Sequence, residues 1–403
     1  MPRFLLQFDP TAGTQLLQQL RALAVPLVFP RPLFDYVVVE IPALLAAQLS
    51  SLPGVLRVEA DKRMGIFPVA VTQELQQLLQ AGPLSLLTNP TIMGFRPDTW
   101  PTGQSRLVVG AGIADADGIT GKGVKVAVLD TGNDPSHPQL LGNTGQSMIK
   151  TQPLAYDENG HGVHTASTVA GAQFSHLQGM LQGVAPGAEL IIIKVLGAGI
   201  GLGDWSDILA GMQRAAELGA KVISMSLGGD DVTDPEASEF RVVRQLTERG
   251  IICCIAAGNS GPGSQTIGSP GSAPDALTIG AINKAGQPAD FSSRGPTKLN
   301  LVKPDCTAPG VDILSGSTGF IAAYRFVDGL GRFAAISGTS MACPHASGVL
   351  ALAEEYARRR GLTLTTPMVK EALREWYDRN PSNNVGYGVI TYPLLKKFIA
   401  ETF

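Results

Sequence analysis

The chain is poor in the residues that mark several large classes of protein. It has four cysteines among 403 residues, and their positions suggest no disulfide framework, so reduced thiols are expected. Charged residues make up 16% and the formal net charge is −3, which argues against a nucleic-acid partner because such proteins usually carry a basic face. No apolar run has the length needed to cross a bilayer, so no membrane partner is expected.

Histidine is scarce as well, with five positions: His137, His161, His164, His176 and His345. A metal site at the H-x-x-H pair His161 and His164 would need further ligands, and the Glu of an H-E-x-x-H motif is missing. The sequence therefore predicts no catalytic metal.

The length favours one large core and an accessory domain. Residues 1–67 contain strand-like runs (RFLLQF, LVFPRPL, YVVVEI, VLRVEADK) and two helix-like segments in the order β-α-β-β-α-β, a ferredoxin-like α+β pattern. Residues 68–106 hold one helix-like stretch and then a segment rich in Pro, Thr and Gly, which predicts a linker. Residues 107–403 form the second domain.

The second domain alternates apolar runs with helical stretches, which predicts an α/β fold with a doubly wound, mainly parallel sheet. In such folds, sites form beyond the carboxyl ends of the strands. Adjacent strand residues point to opposite faces, so Cys253 and Cys254 should diverge. The runs are VKVAVL (124–129), ELIIIKVL (189–196), KVISMSL (221–227), IICCIAA (251–257) and ALTIGAI (276–282).

Ser340 lies in SGTSMACPHASG (337–348), where small residues surround one hydroxyl. Pro344 is expected in the first turn of a buried helix, because its missing N–H costs least there. A serine at a helix N-terminus has an exposed hydroxyl and a positive dipole end beneath it. This setting suits a nucleophile, provided that the chain also supplies a base, an acid and an oxyanion donor.

Candidates for the base and the acid lie earlier in the chain. Asp130 ends a strand in VLDTG; an aspartic protease also carries D-T-G, but it needs two such carboxylates and this chain has one. His161, flanked by glycines in DENGHGVHTAS, is favoured as a general base.

The oxyanion donor would be Asn259, which follows a strand in AAGNSG. Its neighbour Ser260 resembles the nucleophile of the chymotrypsin-like GDSGG motif, but those proteins are all-β and order their residues differently. We therefore do not expect Ser260 to react.

In chain order, Asp130, His161, Asn259 and Ser340 supply acid, base, oxyanion donor and nucleophile. With VAVLDTG, HGVHTAS, VISMSLGG, AAGNSG, FSSRGP, KPDCTAPG and GTSMACPHASG, the second domain resembles the subtilisin-like serine proteases (subtilases). The resemblance implies a serine endopeptidase that works through an acyl-enzyme and needs no cofactor for catalysis.

The resemblance also implies where polypeptide substrates bind. The walls of the primary specificity pocket would be Ser226, Leu227, Gly228, Ala256, Ala257 and Gly258, and its base Gly268 and Gly271. The edge strand that pairs with extended peptide would contain Gly201, Gly203 and Trp205. No acidic residue lies at the pocket positions, so we expect an apolar or aromatic residue before the cut.

The first domain resembles the subtilase pro-domain, an intramolecular chaperone and inhibitor. The resemblance places Phe67 in the specificity pocket, which makes the chain a zymogen. The next residue, Pro68, is a poor partner for cleavage because its ring crowds the scissile bond. Either maturation cuts elsewhere, within the linker, or the first domain stays attached as a persistent inhibitor.

Calcium binding, frequent in this family, is not expected at the usual strong site. The first ligand position is Gln139 instead of an acid, and the loop AQFSHLQGMLQG (172–183) lacks the family's Asn pattern. Structural calcium elsewhere remains open.

Two alternative functions keep the same cleft: a peptide ligase or cyclase using the acyl-enzyme, and a peptide-binding scaffold silenced by its pro-domain. Hydrolysis is favoured because every catalytic position is retained and no capping domain excludes water. The N-terminus lacks a signal-peptide core, which favours the cytoplasm, with an extracellular location second if an upstream signal precedes this sequence.

Overall fold

A computed structural model describes residues 1–67, 99–319, 321, 331–377 and 380–402. Most of the predicted linker, including its helix-like stretch, lies outside the described residues.

The first unit is a small antiparallel sheet covered by two helices. Its central strand β1 (Arg3–Phe8) lies between β2 (Tyr36–Glu40) and β3 (Val55–Ala60). Helices α1 (Gly13–Ala22) and α2 (Ala43–Leu49) bury their apolar side chains against one face of this sheet.

The predicted strand at 27–33 is wrong. This segment makes only two isolated bridges to β2, through Leu27 and Leu33. Because Pro26, Pro30 and Pro32 have no amide hydrogen, the segment cannot donate a continuous row of ladder hydrogen bonds. The ferredoxin-like order is thus reduced to three strands and a bridged edge.

Residues 99–106, predicted as the end of an irregular linker, are ordered and packed on the larger unit. They form β5 (Trp100–Pro101) and the start of α3 (Thr102–Val108), followed by α4 (Ala111–Ala116). Buried Arg106 binds Asp115 through both terminal nitrogens, at 2.7 and 2.9 Å, and donates to Gly183 O at 3.0 Å.

The core of the larger unit is a seven-stranded parallel sheet, as predicted for the fold class. Its strands are β6 (Lys125–Asp130), β7 (Gly145–Ser147), β10 (Glu189–Lys194), β12 (Val222–Met225), β13 (Ile252–Ala256), β14 (Leu277–Ile282) and β15 (Cys306–Pro309), in the order β15-β14-β13-β12-β6-β10-β7. All five predicted runs are strands of this sheet. The short edge strands β7 and β15 gave no apolar run long enough to be recognised.

Helices cover both faces of the sheet. Helices α5 (His161–Ala170) and α8 (Thr339–Arg358) pack on one face, and α6 (Trp205–Glu217) and α7 (Ser238–Glu248) pack on the other. Cys254 lies in the first core and Cys253 in the second, which confirms that they point to opposite faces. All four cysteines are free and buried.

The first unit lays its sheet on α6 and α7, where Leu5, Tyr36 and Val38 enter the core of that face. The C-terminal helices α9 (Thr366–Tyr377) and α10 (Tyr392–Thr402) pack on the core that contains α5 and α8. The remaining strands are β4 (Arg63–Gly65), β8 (Phe174–His176), β9 (Gly179–Leu181), β11 (Leu202–Asp204), β16 (Ile313–Gly316) and β17 (Phe333–Ile336). None of the described helices has the length and apolar character to cross a membrane.

Candidate active site

Asp130 and His161 meet at the carboxyl end of the parallel sheet. Asp130 ends β6 and His161 begins α5; both are fully buried, and His161 Nδ1 lies 2.7 Å from Asp130 Oδ1. The Thr165 hydroxyl lies 3.3 Å from the other carboxylate oxygen and 3.0 Å from Gly162 O, the two acceptors within its reach. His161 Nε2 has no hydrogen-bond partner among the described residues, so it is available to a reacting group.

The start of α5 is fixed by Asp157. Its carboxylate accepts the backbone N–H of Gly160 at 2.8 Å and of Val163 at 2.9 Å. It also accepts the Thr131 hydroxyl at 2.8 Å, and that hydroxyl accepts Gly162 N–H at the same distance. Burial raises the pKa of Asp157, although these hydrogen bonds favour the charged form. The network ties the residue after Asp130 to the helix that carries His161.

Ser340 is the second residue of α8, and the helix begins earlier than predicted. It starts at Thr339, so Pro344 lies inside the helix and not in its first turn. Without an N–H, Pro344 cannot donate to the carbonyl four residues back, which is that of Ser340. The Ser226 hydroxyl donates to this carbonyl at 2.8 Å, and the Ser340 hydroxyl donates to Ser226 O at 3.3 Å.

Neighbouring strands bring these two pairs together. Met225, the last residue of β12, is in register with Leu129 of β6. Ser226, which binds Ser340, and Asp130, which binds His161, therefore follow adjacent points of the sheet. The structure thus places the predicted acid and base in contact, and the predicted nucleophile against the residue that follows the neighbouring strand.

Asn259 lies beside the start of α8. Its side-chain oxygen accepts both the backbone N–H of Thr339 at 2.9 Å and the Thr339 hydroxyl at 3.0 Å. With the oxygen held in this way, the orientation of the amide is fixed and its nitrogen is directed toward the Gly338–Ser340 turn. The Thr339 hydroxyl also accepts Gly258 N–H, at 3.1 Å.

The end of the first unit runs through the cleft as an extended strand. Strand β4 pairs antiparallel with β11, so that Met64 faces Gly203. Gly65 exchanges two backbone hydrogen bonds with Gly228, at 3.0 and 2.9 Å, and Ile66 N–H donates to Gly201 O at 3.0 Å. Residues 63–66 thus form the middle strand between the predicted edge strand at Gly201 and Gly203 and the predicted pocket wall at Gly228.

The Phe67 ring fills a glycine-lined pocket. A methyl group added at Gly228 would lie 2.5 Å from the ring, and one at Gly268 or Gly258 would lie 3.2 or 3.4 Å from it. Leu227, Ala256 and Ala257 are fully buried behind this surface, and Gly271 packs against Gly268 O.

Trp205 differs from the other predicted substrate-binding residues. Its backbone N–H donates to Lys62 O at 2.8 Å, but its indole is buried and donates to the Ser238 hydroxyl at 3.0 Å.

The remaining candidates have other hydrogen-bond partners. Ser260 N–H donates to the Ser293 hydroxyl at 3.1 Å, within a loop. His164 and His345 are fully buried in α5 and α8, and burial lowers the pKa of His164 to about 3 and that of His345 to about 4. Their rings bind backbone carbonyls and, for His345, the Ser105 hydroxyl at 2.7 Å.

At the usual strong calcium site of the family, the neutral Gln139 stands where an acidic ligand is usual. Its amide N–H donates to Ala172 O at 3.1 Å, and its Oε1 is buried without a hydrogen-bond partner among the described residues. The following loop forms the β8–β9 hairpin. Across the described residues, no group of three or more His, Cys, Asp or Glu side chains is arranged to hold a metal ion.

Comparison with known proteins agrees with this arrangement. The profile described as "Subtilase family" matches residues 121–388. The chain belongs to the subtilase family. It is 39% identical over 298 residues to serine protease AprX of Bacillus subtilis (strain 168), an alignment that covers 68% of this chain and 66% of AprX.

Subtilisin Savinase of Lederbergia lenta is 40% identical over 255 residues, covering 63% of this chain and 84% of that protein. The major intracellular serine protease of Bacillus subtilis is 37% identical over 252 residues, covering 60% and 71% respectively. The chain therefore spans slightly less than two thirds of AprX and most of the shorter relatives. The family predicted from the motifs is confirmed.

Sequence reasoning missed the residues that hold the site in place. Thr339 adjoins Ser340 in the GTSMA motif, yet nothing in the motif indicates that it binds Asn259. Asp157 precedes His161 by four residues, and its spacing before a glycine and a helix is a capping signal that could have been recognised.

Proposed function

We propose that the protein is a serine endopeptidase that hydrolyses peptide bonds through an acyl-enzyme, with Ser340 as the nucleophile. The observation that carries the proposal is the bond between Asp130 and His161 Nδ1, which leaves Nε2 as the base. This base and Ser340 follow adjacent strand ends.

In this reaction the Ser340 hydroxyl rotates from Ser226 O toward His161 Nε2 and attacks the scissile carbonyl carbon. His161 takes the hydroxyl proton and later gives it to the leaving amine, and Asp130 stabilises the charged imidazole. Water then attacks the acyl-enzyme, with His161 again acting as the base. The carboxylic acid product leaves and the Ser340 hydroxyl is restored.

The negative charge that develops on the carbonyl oxygen would be stabilised by two donors. The Asn259 amide, oriented by Thr339, supplies one. The Ser340 backbone N–H supplies the other, because an N–H in the first turn of a helix has no acceptor within the helix.

The specificity follows from the pocket that Phe67 occupies. Three glycines contact the Phe67 ring, so no charged side chain meets the ring at these positions. This supports a preference for an apolar or aromatic residue before the cut. An extended substrate would add as a strand between β11 and Gly228, as residues 63–66 do.

We further propose that residues 1–67 are an inhibitory pro-domain. This is supported by the end of the first unit, residues 63–67, which lies in the cleft. There it would compete with a substrate for the same backbone groups. The interface also carries ion pairs from the first unit to the second, including Arg3 with Asp207 at 3.0 Å and Lys62 with Glu239 at 2.6 Å.

One experiment tests these proposals together. The wild-type chain and Ser340→Ala are incubated, and intact mass, N-terminal sequence and cleavage of a peptide library are measured. We expect processing in the wild type alone, beyond Phe67 and before the packed segment that starts at Thr99, with apolar or aromatic residues before the cut. Library cleavage after Arg or Lys would contradict the specificity, and a mature start at Pro68 would contradict the expected maturation site.

A further inference from the structure

We propose that Lys194 is a positioning residue for the catalytic pair, holding in register the loop that follows Asp130 and the loop that leads into His161. The inference rests on the proposed peptidase function, which it deepens. Lys194 ends β10, its side chain is fully buried, and its Cα partner on the neighbouring strand is Asp130 itself.

The ammonium group of Lys194 has three oxygen partners. Nζ donates to Thr131 O at 2.5 Å, to Tyr156 O at 3.1 Å and to Glu158 Oε2 at 2.9 Å. An ammonium has three hydrogens, so these contacts use its full donor capacity. One partner directly follows Asp130, and the other two lie in the loop that leads into α5.

The two loops are also joined by backbone hydrogen bonds and by the Thr131 hydroxyl, which in addition accepts Gly162 N–H. Asn133 N–H donates to Ala155 O at 2.7 Å, and Asp157 N–H donates to Asn133 O at 3.0 Å. The Thr131 hydroxyl adds the bond to Asp157 described above. Lys194 binds both loops from the end of β10, the strand that pairs with β6 at Asp130. The position of His161 relative to Asp130 therefore depends on this side chain.

Removal of the ammonium would leave backbone carbonyls without their charged donor and let the loops move apart. Catalysis tolerates such a shift poorly, since a displacement of about 1 Å in a reacting group costs about 10²-fold in rate. Substrate binding would change less, because the backbone groups of Gly201 and Gly228 that pair with an extended chain do not bind the three acceptors of Lys194. A positioning role thus predicts a loss in kcat with KM preserved.

The chain offers a matched control in Lys221. This lysine is also buried and also donates to a backbone carbonyl, Gly250 O at 2.6 Å, but it precedes β12 and so lies at the opposite end of the sheet. A general cost of replacing a buried lysine would appear in both variants. A positioning effect on the catalytic pair would appear only at Lys194.

The test compares Lys194→Met and Lys221→Met in the full chain, brought to the same processing state as verified by intact mass. With a chromogenic peptide anilide that ends in Phe, we expect Lys194→Met to lower kcat about 10- to 100-fold with KM within about twofold. Lys221→Met should keep kcat within about twofold, although both variants melt at lower temperature.

Equal losses of kcat in the two variants, or a Lys194→Met protein with wild-type kcat, would overturn the proposal. If Lys194→Met does not fold, Lys194→Arg is measured, because a planar guanidinium cannot reproduce the three ammonium contacts. A kcat at least about fivefold lower with KM unchanged then supports the role, and a wild-type kcat contradicts it. An inactive wild-type chain would instead refute the proposed function.

Discussion

The hydrogen bond from the Ser226 hydroxyl to the Ser340 carbonyl replaces the one that Pro344 cannot donate, and its contribution to the free energy of unfolding can be predicted. Ser226 and Ser340 are 1% and 2% exposed, and the Ser226 hydroxyl supplies the donor that Pro344 lacks. Ser226→Ala therefore leaves the Ser340 carbonyl buried without that bond, at a cost of about 1–3 kcal/mol in the free energy of unfolding.

A double-mutant cycle isolates this contribution. Pro344→Ala restores an N–H that can donate to Ser340 O within the helix, so Ser226→Ala should then cost little. We expect a coupling free energy of about 1–3 kcal/mol between the two positions. The assay is denaturant unfolding in a His161→Ala background, which prevents self-digestion and retains Ser226, Ser340 and Pro344.

The reasoning would be refuted if Ser226→Ala cost the same with Pro344 and with Ala at that position. It would also be refuted if Ser226→Ala were neutral in both backgrounds. Thr278→Val is a suitable control, since its buried hydroxyl donates at 2.5 Å to the carbonyl of Gly271, which lies outside α8 and does not depend on Pro344. That change should show no coupling to Pro344→Ala.

Three further predictions concern catalysis, pH and metal. Asn259→Ala should lower kcat about 10²- to 10³-fold, the loss found for the corresponding amide in subtilisin, with a peptide anilide as the assay. Burial lowers the pKa of His164 and His345 to about 3 and 4. As the pH falls, these histidines therefore bind protons in the unfolded chain before they do so in the folded chain. The unfolding free energy should therefore fall as pH drops from about 6.5 toward 4, by up to about 1.4 kcal/mol per pH unit for each group. His345→Gln should make that slope shallower in unfolding curves taken at several pH values, and an unchanged slope would count against this cause. A chelator should leave the melting temperature unchanged if Gln139 replaces the usual calcium ligand; a marked decrease would point to another bound ion.

The parallel sheet and the reacting residues were predictable because each has a local signature. Continuous apolar runs mark strands buried on both faces, and Asp130, His161, Asn259 and Ser340 stand in short motifs with small neighbours. The strand at 27–33 failed because its prolines remove donors, an effect that outweighs its apolar character.

The supporting contacts could not be predicted, because they join residues that are distant in sequence. Ser226 binds Ser340 across 114 positions and Thr339 binds Asn259 across 80. In the sequence, Lys194 is one polar residue within an apolar run, and only the folded loops reveal its three acceptors. The Ser340 carbonyl in α8 likewise receives its donor from a distant residue, Ser226, which follows β12.

The central claim is that Ser340, activated by His161 and Asp130, is the nucleophile. Its most direct test is the kcat of purified Ser340→Ala beside Ser260→Ala on the same peptide anilide. We expect Ser340→Ala to lose activity by about 10⁶-fold, as for the nucleophile in subtilisin, and Ser260→Ala to remain within about twofold of wild type. Near-normal peptidase activity in Ser340→Ala would contradict the account.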